Sequence, residues 1–184
     1  MINSLYPVFR RSWSEKGSVW IISDTHFADS DCKLMDPKWI APEEQVNILK
    51  SCIGKYDTLI HLGDVGDPEY LKNVKGYKVL IMGNHDQSIT KFQPYFDEVY
   101  AGPLFISDKI LLSHEPIYGL DFCFNIHGHD HNPASSISEY QMNLAANVCN
   151  YTPVNLGKLI KDGILSNIDN IHRITIDKAS GLKY

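Results

Sequence analysis

Val19-Trp20-Ile21-Ile22-Ser23-Asp24-Thr25-His26 is a short apolar run, rich in β-branched residues, that stops at a polar Asp-x-His triplet. Such a run bounded by polar punctuation reads as a buried strand. Residues 19–23 are therefore expected inside a sheet, with Asp24 and His26 at its carboxyl end. The same pattern recurs downstream. Residues 58–62 lead into Gly63-Asp64, and residues 77–82 lead into Gly83-Asn84-His85-Asp86. Between the first two runs, Pro42-Glu43-Glu44 opens a helix, with Pro in the first turn and acids at the positive end of the dipole. Val46, Leu49 and Ile53 give it one apolar face, and Gly54 ends it. A short helix is expected from Pro68 to about residue 74. This β-α-β-α-β order predicts neighbouring parallel strands joined by helical crossovers.

The second half has another rhythm. Ser107-Asp108-Lys109 interrupts strand-like residues from 105 to 114 and predicts a hairpin. Further strands are expected at residues 122–127, 140–144 and 171–176, and a late helix at residues 153–161. Together the halves point to a two-sheet mixed α/β sandwich rather than one doubly wound sheet, in a single domain spanning residues 1–184. Residues 1–18 receive no element.

At 184 residues the chain can bury a sizeable core. Its formal net charge is -5, and Arg10, Arg11 and Arg173 are its only arginines. No Lys/Arg block exists to supply the many phosphate contacts behind strong duplex binding, so no stable nucleic-acid partner is expected. Cys32, Cys52, Cys123 and Cys149 form no C-x-x-C pair, which suits free thiols in a reducing compartment. No run approaches the ~18 apolar residues of a membrane span. No apolar segment follows Arg10-Arg11 as in a secretory signal. A cytoplasmic location is the expectation, and oligomeric state is left open.

Chemistry-bearing residues cluster where the apolar runs end. Besides the three clusters already named, Ser113-His114-Glu115 and His127-Gly128-His129-Asp130-His131 follow later strands. Ligands collect at the carboxyl ends of strands in open α/β sheets, so five clusters can converge on one crevice. Asp-x-His or Gly-Asp alone is weak evidence, since a strand-end His is commonly a hydrogen-bonded structural residue. The joint occurrence of all five, each behind a strand, is what carries weight.

In that order, D-x-H, G-D, G-N-H-D, a lone His and G-H-x-H, the motifs resemble those of the calcineurin-like metallophosphoesterases, particularly the small prokaryotic and phage branch. The resemblance spans residues 19–131 and implies a four-layer α/β/β/α sandwich of two mixed sheets. It also implies two divalent metals, with Mn2+ favoured and Fe, Zn2+ or Ni2+ acceptable to the same oxygen and nitrogen donors. Carried over by position, Asp24, His26 and His131 would bind the first metal; Asn84, His114 and His129 the second; Asp64 would bridge them. Neutral imidazole and amide ligands keep such a site positive enough for a phosphate anion. Two metals about 3.5–4 Å apart lower the pKa of a bridging water and clamp phosphoryl oxygens during in-line attack. His85 would be the catalytic group, stabilising developing charge or protonating the leaving oxygen. Asp67 would orient it, although Asp67-Pro68-Glu69 also makes a good helix cap. His61, His127, Asp86 and Glu115 read as supporting or solvated residues.

The resemblance implies hydrolysis of a small phosphoester substrate. Protein phosphatases of the superfamily carry arginines near the G-D and G-N-H motifs to grip a monoester dianion; here Val65-Gly66 and Gln87-Ser88 stand instead. A monoanionic diester needs less cationic help, so a phosphodiesterase is favoured. A monoesterase, a nuclease and a non-catalytic metal-binding scaffold are the alternatives. Residues 27–41, with Asp29, Asp31, Asp36 and Trp39, either overhang the site or form an ordinary surface loop.

Overall fold

The computed structural model describes residues 17–135 and 137–168. Strand β1 (Val19–Ile22) is followed by the one-turn α1 (Cys32–Met35) and by α2 (Pro42–Cys52). Next come β2 (Thr58–His61), a 3-10 turn (Pro68–Leu71), β3 (Tyr77–Ile81), α3 (Ile89–Phe92) and β4 (Glu98–Tyr100). The second half runs β5 (Leu104–Ser107), β6 (Ile110–Leu112), β7 (Phe124–His127), a 3-10 turn (Pro133–Ser135) and β8 (Gln141–Asn143). It continues through β9 (Val154–Asn155) to α4 (Leu156–Lys161).

Two mixed sheets result. One has the order β4-β3-β2-β1-β9, the other β5-β6-β7-β8. In the first, β1 to β4 are parallel, and β9 closes the edge antiparallel to β1. In the second, β5 and β6 form the expected hairpin, while β7 and β8 extend it in parallel. Side chains alternate across each sheet. Ile21, Ile60, Val79 and Ile81 of the first sheet pack with Ile110, Leu112, Phe124 and Ile126 of the second. Their neighbours Ile22, Leu59 and Leu80 face outward, onto Val46, Leu49 and Ile53 at the α2 side. Burial of each such side chain is worth about 1.5–3 kcal/mol, which specifies the register: a one-residue slip would exchange the two cores. On the outer side of β7, Asn125 bonds Ser113 Oγ at 2.8 Å and accepts from the Ile117 amide at 2.9 Å. Loop therefore meets that face.

Several boundaries differ from the sequence reading, each for a local reason. The late helix begins at Leu156, not 153, because Asn155 caps it by accepting from Lys158 N at 2.9 Å. That leaves Val154 free to pair with Ile21. The helix after Asp67 is one 3-10 turn. Helices α1 and α3 and strands β4 and β9 are too short to show a period. The strand expected at residues 171–176 lies outside the described residues, as do residues 1–16.

Register aligns the site. Ile22 lies beside His61, and His61 beside Leu80, so β1, β2 and β3 end at one edge. Leu112 lies beside Ile126, bringing the ends of β6 and β7 together. Ser23 N donates to Leu144 O at 2.9 Å and stitches the two sheets there.

Candidate metal centre

The motif residues follow the strand ends on sharply turned backbone. Asp24, His26, Asp64 and His129 all have positive φ, at 55°, 42°, 54° and 67°. Left-handed backbone costs a non-glycine residue of order 1–3 kcal/mol and persists only when its surroundings impose it. Here the surroundings do. Asp24 N donates to Gly63 O, His26 N to Asp64 O and Phe27 N to Val65 O, at 2.9, 3.0 and 2.9 Å. Residues 24–27 and 63–65 thus stay laced together beyond the sheet while their side chains turn inward. Two glycines permit the packing. A Cβ on Gly83 would lie 2.2 Å from Asp64 Oδ1, and one on Gly128 would lie 2.1 Å from Asp24 Oδ2.

Two trios of donor atoms face each other. Asp24, His26 and His131 offer ligand atoms within 4.8 Å of one another, and so do Asp64, His114 and His129. Asn84 Oδ1 joins the second trio, 2.8 Å from His114 Nε2 and 3.1 Å from His129 Nδ1. Asp64 Oδ2 stands between the trios, 3.7 Å from His26 Nε2 and 3.4 Å from His114 Nε2. Asp24 Oδ1 and His26 Nε2 are buried without a hydrogen-bond partner. Orphaned buried polar atoms are costly unless something else satisfies them. Both point into the first trio, where a divalent cation would satisfy them, and the oxygen and imidazole donors suit one. These residues fit a metal pair.

Electrostatics agree. Burial opposes ionisation of Asp64, but the His114 hydrogen bond and charge, with the His85 amide, pull its pKa down to about 2. It is a firm anion. Burial outweighs the nearby carboxylates at His26 and lowers its pKa, keeping the ring neutral as a ligand must be. For His114 burial also lowers, yet its bond to Asp64 and the charge of Asp24 prevail, and its pKa rises. Cation binding at the second trio therefore competes with a proton.

Supporting residues hold these groups. Asp86 accepts from Asp64 N, Gly83 N and Val65 N at 2.8, 2.9 and 3.1 Å, clasping the G-N-H-D turn to the G-D turn. His61 is fully buried, which drives its pKa down to about 3, so it is neutral. Its Nδ1 accepts from Gly63 N at 3.2 Å, and Thr25 Oγ1 gives its proton to Val65 O. The remaining His61 N–H therefore donates from Nε2 to Thr25 Oγ1 at 3.0 Å. His127, also buried, donates from Nδ1 to Gly128 O at 2.8 Å. Glu115 is exposed.

His85 stands exposed at the rim, its amide donating to Asp64 Oδ1 at 2.9 Å and its ring 5.5 Å from that of His26. Asp67 takes the capping role: its Oδ1 accepts from Glu69 N at 3.0 Å. Among the described residues its carboxylate makes no hydrogen bond to His85. Residues 27–41 pack partly against the site. Phe27 and Trp39 are buried, and Asp29 Oδ2 lies 3.2 Å from His26 Nδ1. Asn147, which carries no motif signal, holds His131 Nδ1 at 3.1 Å. Asp29 had one readable cue, its position three residues after the D-x-H histidine. A groove of about 920 Å³ at the opposite end of β1, lined by Val19, Trp20, Ile110 and Leu156 among others, contains none of the motif residues.

Known proteins bear on the fold and the family. A protein of Methanocaldococcus jannaschii described as uncharacterized is 28% identical over 169 residues, covering 78% of this chain and 89% of its own. A solved structure from Aquifex aeolicus, of a protein of unknown function, is 27% identical with a TM-score of 0.68. It covers 79% of this chain and 98% of its own, so the fold is shared nearly end to end of that neighbour. Neither relative carries a stated activity. The model of the calcineurin-like phosphoesterase superfamily domain matches residues 18–162, which take in both sheets and every motif residue named above, and the chain therefore belongs to that superfamily.

Proposed function

We propose that the chain is a dinuclear metal-dependent phosphoric ester hydrolase acting on a small phosphodiester, with Mn2+ as the working metal. The observation that carries this reading is the pair of donor trios that meet at Asp64 Oδ2. Asp24, His26 and His131 would hold one cation, Asn84, His114 and His129 the other, and Asp64 both. Bound there, two divalent cations supply Lewis acidity that lowers the pKa of a nucleophilic water and neutralises charge on the phosphoryl oxygens. Everything else falls to the protein. Asp64 stays ionised and anchors the His85 amide, which keeps the imidazole at the mouth of the site. From there a His85 ring N–H can donate to the leaving oxygen as the P–O bond breaks, or neutralise charge that develops on it.

Diester preference rests on charge. Arginine is absent from residues 12–172, so among the described residues no guanidinium fork grips a second phosphate charge. The nearby Lys91 is engaged, donating to Gly66 O at 2.9 Å. No described helix is long and apolar enough to cross a membrane. The free thiols of Cys32, Cys52, Cys123 and Cys149 accord with a reducing, cytoplasmic setting. With Mn2+ loaded, an aryl phosphodiester is expected to turn over faster than the matching aryl monoester. A strong preference for the monoester would overturn the diester assignment while leaving the metal site intact.

A further inference from the structure

We infer that Asp29 and Asn147 are positioning residues that build the first half of the metal centre by fixing the rings of His26 and His131. The inference rests on the metal-binding reading above and goes beyond it. Each ring presents two nitrogens, and which one faces the site is set by what holds the other. For His26, Nδ1 faces Asp29 Oδ2 at 3.2 Å and leaves Nε2 as the orphaned buried atom. For His131, Nδ1 donates to Asn147 Oδ1 at 3.1 Å and leaves Nε2 3.8 Å from Asp24 Oδ1. Both free nitrogens therefore look into the same trio.

The holders are themselves held. Asp29 Oδ1 accepts from Asp31 N at 2.9 Å, which commits the other oxygen to His26. Asn147 Nδ2 donates to His131 O at 2.9 Å, so one amide grips the ligand by ring and backbone together. The same Nδ2 lies 3.5 Å from Asp36 Oδ2. Trp39, 8% exposed, closes the back, its ring centroid 5.9 Å from that of His26 and 5.6 Å from that of His131. Residues 27–41 and 147 thus form a wall behind one half-site. The other half is built differently: His114 Nδ1 donates to the backbone oxygen of Leu62 at 2.9 Å. Loss of Asp29 or Asn147 should therefore damage one half alone.

Mn2+ titration calorimetry and electron paramagnetic resonance on the full chain test this, with Asp29→Ala, Asn147→Ala, Asp29→Asn and, as a surface control, the exposed Glu139→Gln. Wild type and control should bind two Mn2+ and show a spin-coupled pair. Asp29→Ala and Asn147→Ala should each weaken one Mn2+ by ~10–100-fold, the range for partners of metal ligands, leaving the other unchanged and an isolated Mn2+ signal. Asp29→Asn keeps an acceptor oxygen and should recover part of the loss. Metal-free melting temperatures should match wild type. Two Mn2+ bound at wild-type affinity in both alanine variants would overturn the inference. So would equal loss of both ions with a lowered metal-free melting temperature, which marks a general folding role. A wild-type protein that takes up no Mn2+ would instead overturn the metal-binding reading beneath it.

Discussion

Asp64→Asn is expected to reduce phosphoester turnover to the uncatalysed background and to leave no paired metals. The substitution is nearly isosteric, and the remaining Oδ1 can still accept from the His85 amide, so the fold should survive. What changes is the charge between the trios. Asp64 Oδ2 lies 3.7 Å from one imidazole nitrogen and 3.4 Å from another, one from each trio. Its pKa is held at about 2 against the pull of burial, chiefly by the His114 hydrogen bond and charge. A neutral amide offers one oxygen where two cations need a shared anion, and its N–H group faces them instead. Metal content by atomic emission and the spin-coupled signal of a Mn2+ pair check this. Two tightly bound, coupled ions in the variant would remove Asp64 from the bridging role.

His85→Ala should behave in the opposite way. Both ions remain bound, and turnover falls by ~10²–10⁴-fold, the contribution of a positioned proton donor. The imidazole is exposed and is not among the buried donor atoms; only its amide is tied to Asp64. Alanine preserves that amide bond and deletes the ring. Loss of a metal ion in this variant would mean that His85 is a ligand. Full activity would mean that leaving-oxygen charge is handled elsewhere. Together the two variants separate building the centre from using it.

How far the sequence could be read depended on the range of the interaction. Parallel pairing of β1, β2 and β3 was legible because long apolar runs with polar ends leave few alternatives, and Pro42 with its following acids marked α2. The one-turn α1 and α3 and the two- and three-residue strands β9 and β4 were not legible, because their order comes from neighbours rather than periodicity. At the site, the histidines and aspartates announced themselves by spacing. Asp86 could be read as a loop fastener because it sits inside the motif it fastens. Asn147 could not, since it reaches His131 from a segment with no pattern of its own. Asp67 shows the reverse. Position suggested a partner for His85, yet the adjacent Pro68 and Glu69 make capping the nearer and stronger attraction. At Asp67 the local cap is the contact the structure shows, and at Asn147 tertiary contact supplied what local chemistry lacked.

The central claim is a metal pair that shares Asp64. Diffraction from Mn2+-soaked crystals, recorded at the manganese edge, measures it directly. Two anomalous peaks about 3.5–4 Å apart are expected, one among Asp24, His26 and His131, the other among Asn84, His114 and His129, with Asp64 touching both. A single peak, or two peaks with Asp64 bound to neither or only one, would contradict it.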